Sequence, residues 1–203
     1  MVAASFVLLP SSPGSAAPTV VSVPVSGAVL TVNGTATTFP AAPGAVLTGT
    51  YDPATGAFSG NLSLPALGQT GTTSLGAGFA LSFAAVNTAV TGTIPQSGSG
   101  TLGTVGWTVG VGLTGPTYVV SDCSVVITPM TFTTTFDATA GTLALTSTGF
   151  TIPVVSCTGG AGDESTVNSV LAIPTTLTEL VLSSNDASAL RAPQEPTRPA
   201  YTG

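Results

Sequence analysis

Residues Cys123 to Cys157 read CSVVITPMTFTTTFDATAGTLALTSTGFTIPVVSC. Phe132, Thr134 and Phe136 alternate there with Thr131, Thr133 and Thr135, the period of two that sends successive side chains to opposite faces of a strand. The run predicts an aromatic inner face and a threonine-coated outer one. Next comes Phe136-Asp137-Ala138-Thr139-Ala140-Gly141, which has the composition of a hairpin turn. The Asp137 carboxylate can accept from nearby backbone N–H groups, and Gly141 can take the positive φ that returns the chain to a strand. Phe150, Ile152 and Val154 are expected to extend the pattern on the far side of the hairpin. Tyr51-Asp52-Pro53-Ala54-Thr55-Gly56 is a weaker copy, its glycine again four residues after its aspartate and Pro53 presetting φ.

The two cysteines that bound the stretch lie 34 positions apart and are the only ones in the chain. In an exported protein they pair, and closing that loop stabilises the fold by roughly 3 to 4 kcal/mol in the chain-entropy picture. The alternative is two buried thiols in a cytosolic chain. With no second pair of thiols and no histidine, a zinc site is out of reach. The N-terminus also reads as exported: Ala3 to Leu9 is a short apolar run, and Ser15-Ala16-Ala17 suits signal-peptidase cleavage. Residues 1–18 are expected to be a signal peptide or its remnant, although a basic start is missing. The run falls far short of the ~20 apolar residues of a spanning helix.

Only 5% of the 203 residues are charged, against roughly 25% in ordinary soluble proteins, while 43% are hydrophobic. Asp52 is the only acid before Asp122, Arg191 and Arg198 are the only bases, and the net charge is −6. Such a surface is wetted by Thr, Ser, Asn and Gln, so salt bridges and long-range fields contribute little. Nucleic-acid binding needs clustered Lys or Arg at phosphates and is excluded. A Ser/His/Asp hydrolase cannot be assembled without histidine, and a cysteine nucleophile needs a free thiol beside a base. Asp52 and Asp137 could formally be a glycosidase pair, but their matched turn positions account for both. Asp163 and Glu164 lack the spaced oxygens of a calcium site. No catalytic residue, metal ligand or cofactor is assigned. The residues singled out are the disulfide pair Cys123 and Cys157 and the turn residues Asp52, Gly56, Asp137 and Gly141.

The rest of the chain reads as short strands. Val20 to Val32 is β-branched and split by Pro24, an edge strand or two short ones, and Asn33-Gly34 is a hairpin turn. Strands follow at Ala45–Tyr51, at Phe58, Leu62 and Leu64 on one face, at Leu75–Val86 and at Asn87–Ile94. Val105, Trp107, Val109, Val111 and Leu113 alternate with Gly106, Thr108, Gly110 and Gly112, which leaves one face without bulk and suits close packing or bending. Asp163 is read as the N-cap of one short helix, near 163–171, that Pro174 stops, and Thr176–Leu182 is a last strand. The expected fold is all-β: an antiparallel β-sandwich or a strongly curved two-sheet fold. It forms a single domain over 19–185, with two related halves at 19–100 and 101–185, and a disordered tail over 186–203.

Cys123 ahead of the hairpin, Phe136-Asp137 with Gly141, Phe150-Thr151-Ile152-Pro153 before Cys157, Val167-Asn168 and Leu171-Ala172-Ile173-Pro174 together resemble a group of small secreted actinobacterial proteins. In that group the last motif more often reads Leu-Gly-Leu-Pro, from which Ala172 and Ile173 depart. The resemblance implies a β-rich protein, secreted or of the cell envelope, and brings no catalytic residue with it. Three function classes follow: a non-catalytic structural or binding protein of the envelope or medium, a lipid-binding carrier, and an outer-membrane β-barrel subunit. The partner would be an envelope glycan, a lipid or a protein.

Overall fold

The computed structural model describes residues 17–40, 45–72, 78–83, 86–115 and 119–192; of Thr35, 37–40, 67–72, 78–83 and Trp107 it describes the backbone alone. The chain is an antiparallel meander of long runs, most of them made of two strands. The runs are β1 (Thr19–Pro24) with β2 (Gly27–Val32), β3 (Thr35–Pro40) with β4 (Val46–Tyr51), β5 (Ala57–Leu64) with β6 (Leu67–Thr72), and β7 (Gly78–Phe83) with β8 (Val86–Thr93). They continue with β9 (Ser99–Thr104) and β10 (Trp107–Thr114), β11 (Val119–Ile127) and β12 (Thr131–Asp137), then β13 (Thr142–Thr148). After β14 (Ser156–Cys157) and the helix α1 (Ala161–Leu171) comes β15 (Thr178–Ser184). Several joints fall where the sequence cannot continue a ladder or lacks side-chain bulk: Pro24, Pro65, Gly106 and Pro129.

Ten strands pair in the order β1-β4-β5-β8-β9-β12-β13-β15-β2-β3 and five in the order β14-β11-β10-β7-β6. The larger sheet closes on itself. Val25 N–H donates to the Ala45 carbonyl, continuing the β1–β4 ladder, and the next residue, Ser26, donates to the Ser183 carbonyl, continuing the β15–β2 ladder. One strand therefore has the second run on one side and the last on the other, as in an eight-run up-and-down barrel. This is the strongly curved two-sheet form of the all-β expectation. The smaller sheet is built from the outer portions of the four middle runs, with β14 added at its end.

The inner wall follows from period two. Val21, Val23, Leu47, Tyr51, Phe58, Leu62, Val90, Leu102, Phe132, Phe136, Leu143, Leu145, Leu180 and Leu182 are buried, while Thr131, Thr133 and Thr135 are exposed. Burying a Leu or Phe side chain contributes about 1.5–3 kcal/mol. Hydroxyls on this wall are satisfied locally: Thr134 donates to the Thr93 carbonyl (3.0 Å), Thr104 to Met130 (3.3 Å) and Thr178 to Phe150. Gly49 and Gly60 face each other across β4 and β5. A Cβ on Gly60 would meet the Thr48 carbonyl, and one on Gly49 would lie 2.8 Å from the Phe58 ring. Bare backbone here lets the wall bend tightly, and the Phe58 ring covers the gap.

The stretches 19–100 and 101–185 share one sheet, with β2 paired to β15 and β8 to β9. Several expectations need correction. The helix begins at Ala161 with Gly160 as its N-cap, so Asp163 lies in the first turn and caps nothing. Phe150, Ile152 and Val154 do not extend the hairpin. Gly149, at φ 68°, turns the chain off the sheet, only Ile152 bridges to Thr175, and Val154 is exposed. Val105 is exposed at the bend before β10, so the buried alternation there is carried by Val111 and Leu113; the Trp107 side chain lies outside the described residues. Residues 186–192 are not a disordered tail: Ser188–Leu190 forms a 3-10 turn, with Ala187 and Leu190 fully buried. Residues 1–16, Leu75 and 193–203 lie outside the described residues.

Candidate functional site at the barrel mouth

β4, β8, β12 and β15 all run in one direction, since each is separated from the next by one antiparallel strand. The turns that follow them are thus gathered at one end of the barrel. The two aspartate turns are both there and share one geometry. Gly56 N–H donates to the Asp52 carbonyl (2.8 Å) and Gly141 N–H to that of Asp137 (2.7 Å), with the glycines at φ 74° and 72°. Asp52 accepts from Ala54 N–H (2.9 Å) and the Thr55 hydroxyl (2.8 Å), and Asp137 from the N–H groups of Thr139 (2.8 Å) and Ala140 (2.9 Å). The Thr55 hydroxyl and then the Ala54 N–H hold the Asp52 carboxyl below its ordinary pKa by stabilising the anion. Each carboxylate is engaged by its own turn, and the β8–β9 hairpin stands between them in the sheet order.

A second layer ties the turns together. The buried Tyr51 hydroxyl donates to the Ile94 carbonyl (2.9 Å) and accepts from Gln96 Nε2 (2.6 Å). Burial raises the Tyr51 pKa, the Gln96 bond lowers it, and the Asp52 charge raises it further. Gln96 Nε2 also donates to the Leu190 carbonyl (2.6 Å), and Gln96 Oε1 accepts from Ala192 N–H (3.3 Å). Ala187 N–H donates to the Gly141 carbonyl (2.7 Å), and Arg191 Nη2 to that of Thr139 (2.8 Å). The segment after β15 therefore crosses the mouth as a strap. Sequence reasoning found Asp52, Gly56, Asp137 and Gly141 but missed Tyr51, Gln96, Leu190 and Arg191 as one constellation. The single signal for it was the pair Ala187 and Leu190, apolar side chains three apart in a polar stretch.

The disulfide sits elsewhere. Cys123 and Cys157 are directly opposed in β11 and β14 and are joined, with Cα atoms 4.0 Å apart. Glu164 of α1 accepts from Cys157 N–H (3.1 Å), and Asn168 from Val155 N–H (3.0 Å), so helix, β14 and small sheet form one cross-linked corner. No protein-family model, curated protein or solved structure matches this chain. Among the described residues no group of three or more metal-ligating side chains converges, and no helix is long and apolar enough to cross a membrane. What the mouth offers chemically is hydrogen bonding around an apolar interior.

Proposed function

We propose that this is a non-catalytic protein of the cell envelope or the extracellular medium, with a structural or binding role. The observation that carries the reading is where its ionisable groups sit. Asp52, Asp137, Asp186 and Arg191 lie in turns or the strap, Asp163 and Glu164 in the first turn of α1, Asp122 at a left-handed kink of β11, and Glu179 on the outward side of β15. Among the described residues the buried polar side chains all carry hydroxyls: Tyr51, Thr88, Thr104, Thr134, Ser147, Thr178 and Ser184. A wall of that kind supplies shape and apolar surface but no proton donor or acceptor near neutrality. The Cys123–Cys157 bond and the resemblance to exported actinobacterial proteins support a location outside the cytoplasm.

Fractionating the source cells tests this. The protein is expected in the envelope or the medium with both cysteines oxidised. Hydrolysis of any glycoside, ester or peptide by the pure protein, lost in Asp52→Asn or Asp137→Asn, would overturn the non-catalytic part. One observation favours a lipid-binding carrier as the second reading: eight runs close round an apolar interior, the arrangement in which small barrels hold a ligand. An outer-membrane barrel presents apolar side chains outward, whereas β5, β8, β9 and β12 point Ser59, Asn61, Thr91, Thr93, Thr101 and Thr133 outward. Organic extraction of protein purified without detergent, followed by mass spectrometry, separates carrier from scaffold.

A further inference from the structure

We propose that Asn33 is a site of spontaneous deamidation, gated by its own hydrogen bonds, and that its conversion permanently releases one corner of the barrel. Asn33-Gly34 is the two-residue turn between β2 and β3, with φ of 50° and 80°, and both residues are exposed to the water that the reaction consumes. A Cβ built on Gly34 would meet nothing within 4 Å, so neither a side chain nor a neighbour shields its backbone nitrogen. That nitrogen attacks the Asn33 side-chain carbonyl carbon, its proton leaves with the carboxamide nitrogen as ammonia, and a five-membered succinimide forms. Water then opens the ring at either carbonyl and restores the Gly34 N–H, leaving aspartate or isoaspartate. The other asparagines, Asn61, Asn87, Asn168 and Asn185, precede Leu, Thr, Ser and Asp, whose side chains crowd the attacking nitrogen. In the folded chain Asn33 Nδ2 donates to the Ala172 carbonyl (2.8 Å), and Asn33 Oδ1 accepts from the Thr175 hydroxyl (2.6 Å). The Asn33 N–H donates to the Leu177 carbonyl (2.8 Å). The carboxamide is thus clasped to the connection between α1 and β15, beside the Val32–Thr178 pair of the β2–β15 ladder. Ring closure swings the side chain back over its own peptide and away from both partners, so it proceeds in proportion to the time the clasp is open. Afterwards the clasp cannot re-form. A carboxylate only accepts, so the Ala172 carbonyl loses its donor, and isoaspartate adds a backbone atom to a turn that joins two paired strands.

Peptide mass spectrometry of the full chain, aged in mildly alkaline buffer, follows the change from amide to acid at Asn33. In the chain unfolded by guanidinium chloride Asn33 is expected to convert before the other asparagines, and in native buffer at least about ten-fold more slowly than in the unfolded chain. Thr175→Val removes one partner of the carboxamide and should speed the native conversion about three-fold or more, the effect of losing one hydrogen bond. Amide exchange reads the consequence: residues 172–177 should exchange faster in Asn33→Asp, and in aged wild type, than in fresh protein, while 131–137 stay unchanged. Equal rates in the native and unfolded chain, or no acceleration in a folded Thr175→Val, would overturn the gate. No conversion at Asn33 in either state would overturn the site itself. Unchanged exchange at 172–177 after conversion would overturn the release of the corner. The comparison of native with unfolded protein uses wild type alone, so the gate is tested even where a variant fails to fold.

Discussion

Asp52 and Tyr51 are neighbours in sequence whose pKa values are shifted in opposite directions. Asp52 is held below the 3.8 of an ordinary aspartate by the Thr55 hydroxyl and the Ala54 N–H. A depressed carboxylate contributes stability that is present above its unfolded pKa and is lost as pH falls through the folded value. Thermal melts of wild type and Asp52→Asn should differ most at neutral pH, and the gap should narrow once pH drops below 3.8. A gap that stays constant into acid would show that the charge contributes nothing. Tyr51 has the opposite sign. Burial raises it above 10.0, so its contribution is complete below that value and is lost as pH rises through the folded one. Tyr51→Phe removes the bonds to Ile94 and Gln96 and should cost about 1–2 kcal/mol at neutral pH. In denaturant titrations above pH 10 the deficit should shrink, because phenylalanine has no proton to lose.

The strands carry two kinds of glycine, and substitutions should separate them. A Cβ at Gly60 meets the Thr48 carbonyl and the Gly49 Cα, backbone that cannot rotate away, so Gly60→Ala should cost about 2–3 kcal/mol. At Gly103 the nearest such atom, the Thr91 carbonyl, is 3.8 Å away, and Gly103→Ala should stay within about 0.5 kcal/mol of wild type by urea denaturation. Equal costs would mean that the close approach of β4 and β5 does not set the curvature. The elements differ as well in how far local sequence announced them. The Phe132–Phe136 alternation, the Asn33-Gly34 turn (φ 50° and 80°) and both aspartate turns depend on neighbours in sequence, and each was legible. The Cys123–Cys157 pairing followed from a count of two. The β15–β2 pairing left no local trace, because its partners lie some 150 positions apart: the Ser26 hydroxyl reaches the Ser183 carbonyl across 157. The strap left only the spacing of Ala187 and Leu190, since its partners Gly141, Thr139 and Gln96 are also distant in sequence. The helix start was misread because two acids suit a first turn as well as a cap. Glu164 is instead used on the Cys157 N–H. Replacing both cysteines with alanine should cost roughly 3–4 kcal/mol and speed amide exchange in β14 and α1 ahead of β12–β13.

At the scale of the molecule the question is whether two sheets mean two folding units. Four runs pass through both sheets, so losing the small one removes the continuation of β5, β8, β9 and β12 rather than a neighbouring body. The ring has no seam at 100/101, since β9 spans that point and β2 pairs with β15. Residues 19–100 alone would leave β2 without β15 and β8 without Leu102–Thr104, its partners in β9. An open curled sheet of that kind exposes its apolar wall and two long edges, and it has nothing to set against the entropy of ordering. The intact protein should therefore unfold in one step, with calorimetric and van't Hoff enthalpies equal. A 19–100 fragment should give the circular dichroism of an unfolded chain, or precipitate. A soluble, cooperatively melting fragment would restore the two-half description and would make closure between β15 and β2 a late docking event. Because the first and last strands must meet before the ring gains its full stability, closure brings a high contact order, and refolding should take milliseconds to seconds rather than microseconds.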